Sequence, residues 1–447
     1  MNLSPLAFIR AHPGTVAGWF QQGASATAAV LCVPLIIRYL GNEKTGVWLG
    51  FQSLAAVATL ADFGFGYVTA RQVAFSLGQK GDSKAGPDID PSQMGWQGVV
   101  NTLAMTRRLN FWSCMVGFVL MGAVGVYVAG NPRFQIIPQN ELLTTWILLS
   151  ASLVFTMMGK PDYAVLEGAG YLPSSRLISG TQILVGAVAT AVCAILGGGL
   201  LYMALVSAVV TAGGTCWLHL HARYALSKGA HLKSSYSNAQ LRKMIRVALP
   251  MGAVNLGSYL FSSIQVPMIA ALLSPALVAP FYLAQRCGQF LNVAVLQFLF
   301  PKLPQFSILV SQGRSQDARH LMHTTLRVVF SVSLGVSLVF VFLVPFVCEQ
   351  VLNVRMPSHL VLTLMAVDYL VLNCTVGWGH FVLAAGRNPF LVSTLVTGVV
   401  NLSILYLFLG EYGVIAIPAA TVISGLLCSY WVCLLAGFRL DSRLSTS

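Results

Sequence analysis

Apolar residues fall in runs of about twenty, separated by short polar segments, and a run of that length is what a membrane-spanning helix needs. Twelve runs qualify, near 16–38, 45–70, 109–130, 141–163, 173–196, 199–222, 247–273, 277–300, 328–350, 357–384, 389–409 and 413–436. The glycines and prolines inside several of them are tolerated in membrane helices. The longest polar stretch near the middle, "RYALSKGAHLKSSYSNAQLRKMIR" at 223–246, holds six basic residues and no acid. It divides the chain into a predicted six-helix bundle over 1–222, a basic linker over 223–246 and a second six-helix bundle with a short tail over 247–447. The turns after the first and seventh runs, in "IIRYLGNEKTGVW" and "MIAALLSPALVAPFY", share one plan: an apolar run, a small-residue turn and an aromatic opening the next helix. Parallel repeats of this kind are common in transporters.

Composition sharpens the class. Of 447 residues, 56% are hydrophobic and 9% charged, with mean hydropathy +0.75. A soluble domain carries about 25% charged residues, so the expectation is an all-α integral membrane protein with no soluble domain of any size. The net charge of +13 does not point to nucleic acid, because its placement follows membrane orientation. With the N-terminus inside, twenty-one of the 26 basic residues lie in inner segments and four, Arg38, Lys44, Arg133 and Arg355, in outer ones. That asymmetry is the positive-inside rule, and it predicts an even helix count with both termini cytoplasmic. The stretch "MNLSPLAFIRAHPGT" lacks the charged-then-apolar order of a cleaved signal, so the first helix is expected to stay in the membrane. The nine cysteines form no CxxC pair and sit in apolar runs, which predicts small buried hydrophobes without disulfides or metal.

Ionisable groups inside spans are costly and default to functional candidates. Arg286 and Asp368 both fall near the middle of their predicted helices, roughly 14 to 15 Å from the outer end at 1.5 Å per residue. Gln285, Gln289 and Asn292 form a polar stripe at i, i+4 and i+7 beside Arg286. A guanidinium grips a phosphate bidentately, and the stripe suits a sugar, so these four residues are substrate-binding candidates. A structural Arg286–Asp368 ion pair is the alternative. Asp368 is equally a candidate for proton coupling, since burial and a nearby guanidinium act on a carboxyl in opposite senses. In "LADFGFGYVTAR", residues 60–71, Gly64 and Gly66 permit a bend or a close backbone approach. Asp62 would then accept bonds from the loosened backbone, as a gating or structural device. Arg71, nine positions on, is expected at the inner headgroup level, meeting acidic lipid or a pyrophosphate. Gln21, Gln22 and Ser25 line a first-bundle cavity or pack helices. His219, His221, His231, His320 and His323 have spacings that only superficially resemble metal sites. No nucleotide or covalent-catalysis motif is present, so neither enzyme activity nor a cofactor is expected.

The first hairpin, "RYLGNEKTGVWLGFQSLAAVATLADFGFGYVTARQVA", resembles that of the Wzx-type polysaccharide flippases, with their pattern carried by Arg38, Leu40, Gly41, Gly46, Trp48, Leu60, Asp62, Gly64, Gly66 and Arg71. "FYLAQRCGQFLNVAVLQFLFPKLPQF" at 281–306 is similar to a second stretch of the same family. Gln265 stands where many relatives carry an acid. The resemblance implies the multidrug/oligosaccharidyl-lipid/polysaccharide exporter (MOP) superfamily, with two six-helix bundles around a central cavity. It implies a flippase that moves an undecaprenyl-pyrophosphate-linked oligosaccharide to the outer leaflet of a bacterial inner membrane by alternating access. The expected partners are that lipid-linked oligosaccharide, membrane lipids, a coupling H+ or Na+, and polysaccharide polymerase or glycosyltransferases. A MATE-type drug/cation antiporter is the alternative, although residues 16–37 hold no acid. The fourteen-helix lipid II flippase is longer, and a polymerase or ligase needs a larger outer loop than the twelve or so residues found here.

Overall fold

Residues 13–78, 91–134, 136–227, 232, 234–300, 302–350, 353–385 and 389–446 are described by a computed structural model. All regular structure among them is helical. Helix α1 (Pro13–Thr27) passes through a π turn at Ala28–Cys32 into α2 (Val33–Ala55), and a 3-10 stretch, Ala56–Asp62, leads to α3 (Phe65–Gly78). Then come α4 (Pro91–Gly130), α5 (Gln139–Gly168), α6 (Leu172–Ile195), α7 (Leu200–Ala225) and α8 (Asn238–Ser258). Two π turns, Tyr259–Ser263 and Ile269–Leu273, precede α9 (Pro275–Leu296). The remainder is α10 (Lys302–Ser311), α11 (Ser315–Gln350), α12 (His359–Ala384), α13 (Leu391–Tyr412), α14 (Ala416–Ser424), a π turn at Gly425–Ser429, and α15 (Tyr430–Thr446).

Each of the twelve predicted spans falls on helix. By length and apolarity, nine stretches of the described residues could cross a membrane. Leu391–Ser445 holds two predicted spans, and Val16–Ala55 holds the first span and opens the second. The missing one is α9, whose hydropathy is diluted by Gln285, Arg286, Gln289 and Asn292. Large apolar side chains such as Phe111, Trp112, Phe118 and Val119 on α4 are exposed to between 59% and 69%. No water-soluble surface would present such a band, and the chain is a multi-pass membrane protein.

The second predicted helix, 45–70, is not continuous. It stops at Asp62, and Phe63 (φ 46) and Gly64 (φ 74) are both left-handed before α3 begins. Any side chain at Gly64 would meet Met251 Cβ at 2.7 Å, and one at Gly252 would meet Phe63 Cα at 2.9 Å. The break exists because α8 crosses this turn backbone to backbone. A second glycine answers to the same rule: a side chain at Gly46 would collide with the Pro275 carbonyl. Gly41, at φ 79 inside α2, lets the chain turn before that contact.

The chain forms two compact units, one of Met1–Leu40 and Leu54–Asn255, the other of Gly41–Ser53 and Leu256–Ser447. In the first, Met244 and Ala248 of α8 pack with Phe65, Val68, Met105 and Leu109. Part of the segment read as a basic linker thus begins a helix whose apolar face is core. In the second, Tyr259 Oη donates to the Ser53 carbonyl at 3.3 Å, and Val295, Phe306, Met322, Val329 and Phe381 form its largest described core.

Gly46→Ala and Gly64→Ala are expected to destabilise the protein by about 1–3 kcal/mol each, through overpacking and backbone strain. Gly23→Ala, where nothing lies within 4 Å, should leave it unchanged. Apparent melting temperatures of the purified variants in detergent check the ordering.

Candidate functional site

The second unit buries a connected set of amides and hydroxyls. The π turn at Tyr259–Ser263 widens the helix and frees carbonyls from the ordinary i to i+4 pattern. Asn401, fully buried on α13, donates from Nδ2 to the carbonyls of Leu260 (3.0 Å) and Phe261 (3.2 Å). Gln265 donates to Thr421 Oγ1 at 3.1 Å and accepts from Gln285 Nε2 at 2.9 Å. Gln285 also donates to the Ser262 carbonyl at 3.1 Å. The network ties α9, α13, α14 and the π turn together.

This wall encloses two adjacent cavities. The smaller, about 190 Å³, is lined by Gln285, Gln289, Asn292, Asp368, Ser262 and Thr421 among others. The larger, about 400 Å³ and mostly apolar, includes Ser262, His380, Thr397, Tyr430 and Cys433. Asp368, 9% exposed, faces the smaller one and accepts a hydrogen bond from Tyr430 Oη at 3.0 Å. Tyr430 follows the π turn at Gly425–Ser429, and Gly425 leaves room for its ring.

Arg286 is the twelfth residue of α9, about 16 Å from its start. Its Nη1 donates to Gln289 Oε1 at 3.2 Å, and its guanidinium lies 4.7 Å from the Tyr282 ring centroid. Its Nε is buried without a partner, as is Asn292 Oδ1. Among the described residues, Arg286 makes no ion pair: Asp368 is held by Tyr430 instead. The structure therefore brings Gln285, Gln289, Asn292 and Asp368 to one cavity and leaves Arg286 beside it as a cation without a counter-ion.

In the first unit, Asp62 has a side-chain partner on another helix. Its carboxylate meets Lys160 Nζ at 3.3 Å, and both line a cavity of about 450 Å³ with Gly66, Tyr163, Glu167 and Gln182. Arg71 stands apart, stacked 5.2 Å over Phe75 and exposed. Gln21 donates to Ser179 Oγ at 3.0 Å. His219 does find a carboxylate, Asp162, at 2.7 Å, and Arg107 bonds the same carboxylate at 2.9 Å. His323 likewise meets Asp441 at 2.8 Å. No group of three or more metal-ligating side chains forms among the described residues. All nine cysteines are free; Cys216 is exposed rather than buried.

Sequence reasoning missed Asn401, Thr421, Tyr430 and the Lys160–Asp62 pair. Asn401 was accessible to the rule that singled out Asp368, a polar residue inside an apolar run. Tyr430 and Lys160 carried no such signal, since their roles come from partners 62 and 98 positions away.

Solved structures extend this picture. An inward-facing multidrug resistance MATE family transporter of the MOP superfamily matches with a TM-score of 0.67 at 15% identity, over 94% of this chain and 96% of that one. The lipid II flippase MurJ, in an inward closed conformation, matches at 0.64 and 12% identity, over 97% and 90%. An outward-facing MATE family transporter matches at 0.60 and 14%, over the whole of both chains. The chain shares their fold. No protein-family model and no curated protein matches the sequence.

Asn401→Leu should leave the Leu260 and Phe261 carbonyls unpaired in an apolar surround. A buried orphan costs about 1–3 kcal/mol, so the apparent melting temperature should fall. Ser403→Ala, an exposed hydroxyl two residues on, should not lower it.

Proposed function

We propose that the protein is a lipid-linked oligosaccharide flippase of a bacterial inner membrane. It would move an undecaprenyl-pyrophosphate-linked oligosaccharide from the inner to the outer leaflet by alternating access, with both termini cytoplasmic. One observation carries the reading: Arg286 holds a guanidinium halfway along α9 with no carboxylate partner among the described residues and a buried, unbonded Nε. An isolated cation there is expensive and is retained where an anion visits. A pyrophosphate offers the planar, multi-oxygen acceptor that a guanidinium fits. Gln289 fixes the guanidinium, while Gln285 and Asn292 supply neighbouring hydrogen-bonding groups. The fold shared with a lipid II flippase supports translocation of a lipid-linked substrate.

Asp368 is the proposed coupling residue. It is buried beside the polar cavity, and among the described residues its side chain accepts from a tyrosine rather than a cation. Such a carboxyl gains or loses a proton, or takes Na+, without breaking an ion pair. Gly64 and Gly66 would let the chain flex near Asp62, and Arg71 would meet headgroups. The same acid, together with the fold shared with multidrug MATE transporters, favours cation antiport as a second reading. That reading leaves Arg286 without a role, because a bare guanidinium repels a cationic cargo.

The test is complementation in a bacterium that depends on this protein. Deletion should abolish surface polysaccharide and accumulate lipid-linked intermediate on the inner leaflet. Arg286→Ala at wild-type membrane levels should reproduce the deletion, with transport down at least tenfold, and Arg286→Lys should restore only part of it. Asp368→Asn should slow transport and remove its dependence on the ion gradient. Unchanged surface sugar with raised sensitivity to cationic drugs would replace the flippase with the antiporter.

A further inference from the structure

The second cavity with chemistry of its own lies wholly inside the first unit. About 450 Å³ is within the usual size of a small-molecule site, roughly 300–1,000 Å³. Its charges are already neutralised. Asp62 faces Lys160 at 3.3 Å, and Glu167 faces Arg176 at 3.8 Å. A cavity whose ions are paired has no strong electrostatic preference for an anion or a cation, and its lining mixes apolar surface with hydrogen-bonding groups.

What remains free is neutral. Gln182 lines the cavity and has no hydrogen-bond partner among the described residues. Ser179 Oγ accepts from Gln21 and keeps its own proton available. The two carboxylates use only part of their acceptor capacity in the ion pairs, and a carboxylate offers about four lone-pair sites. Small residues make room for this set. A side chain at Gly214 on α7 would meet Gln182 Cδ at 2.5 Å, and one at Gly18 on α1 would meet Arg176 Nη1 at 2.6 Å. The bundle gives up packing on two helices so that an amide and a guanidinium stay where they are.

We infer that this cavity is a seat for a neutral, polyhydroxylated group: the sugar portion of the substrate, held by Gln182, Ser179 and the spare oxygens of Asp62 and Glu167. Hydroxyls both donate and accept, so they fit a site that mixes carboxylate acceptors with an amide and a hydroxyl. The inference rests on the flippase reading. It adds that recognition of sugar and of pyrophosphate are separable, the one assigned to Gln182 and its neighbours and the other to Arg286.

Three probes decide it, each titrated against the full-length protein in lipid nanodiscs: undecaprenyl pyrophosphate carrying a neutral trisaccharide, undecaprenyl pyrophosphate alone, and tetraphenylphosphonium. The wild type should bind the sugar-bearing lipid at least tenfold more tightly than the bare one. Gln182→Leu, and Gly214→Ala, which displaces the Gln182 amide, should each erase that preference and leave bare-lipid affinity intact. Bare-lipid affinity therefore doubles as the folding control, and a variant that loses it is replaced by Gln182→Asn, read the same way. Arg286→Ala should weaken both lipids alike. Retention of the preference in both cavity variants would overturn the seat while the Arg286 result still upheld the flippase. Binding of neither lipid by the wild type would overturn the flippase reading and this inference with it. Tetraphenylphosphonium binding that Gln182→Leu removes would make the cavity a cation site and overturn the sugar seat.

Discussion

Hydrocarbon offers no hydrogen bonds, so every polar group inside a span must find its partner within the chain. Most of this molecule follows from that constraint. Where helices depart from the regular ladder, at the π turns of 259–263 and 425–429, the chain also supplies what the departure requires. Asn401 takes the carbonyls loosened by the first, and the Tyr430 hydroxyl, placed just after the second, reaches Asp368. The widened turns are thus tied to the polar wall of the second unit. They let one helix offer both apolar packing and inward-facing carbonyls.

The same constraint gives meaning to the few groups that do not comply. Asp62 has Lys160, Asp162 has Arg107 and His219, and Asp441 has Arg319 and His323. Arg286 has an amide and an aromatic face, and neither carries a full negative charge. Those carboxylates each meet a cation, while Arg286 meets no carboxylate among the described residues, and the contrast is informative. A structural ion pair with Asp368 would have explained Arg286 away, but none forms among the described residues, and Asp368 accepts from Tyr430 instead.

Much of the helical plan was legible from hydropathy alone, because about twenty apolar residues in a row have few alternatives. The failure at 62–64 is instructive. "DFGFG" announced a bend through its glycines, but not that both Phe63 and Gly64 would be left-handed, because that depends on Met251 and Gly252 of a distant helix pressing on the turn. Arg286, Gln285 and Asp368 could be singled out because a polar residue in an apolar run is conspicuous wherever it sits. Lys160 could not. It lies near the end of a span, where a basic residue is expected at the headgroups, and only the fold turns it inward onto Asp62. The segment 223–246 misled for a related reason: its charge advertised a linker, while Met244 within it is fully buried.

Glycine placement links packing to the proposed chemistry. Gly46 against Pro275, Gly64 against Met251 and Gly257 against the Thr394 carbonyl are close approaches of main chain, the kind that stabilises helix contacts in lipid. Gly214 against Gln182, Gly18 against Arg176 and Gly288 against the Tyr369 ring are different. Each accommodates a side chain carrying a polar group, and helix backbones could pack more tightly without them. A membrane bundle selected only for stability would fill these positions with alanine and pair or remove the amide of Gln182. Keeping the space, with no partner for the amide among the described residues, makes sense if something else, rich in hydroxyls, completes its hydrogen bonds for part of each transport cycle.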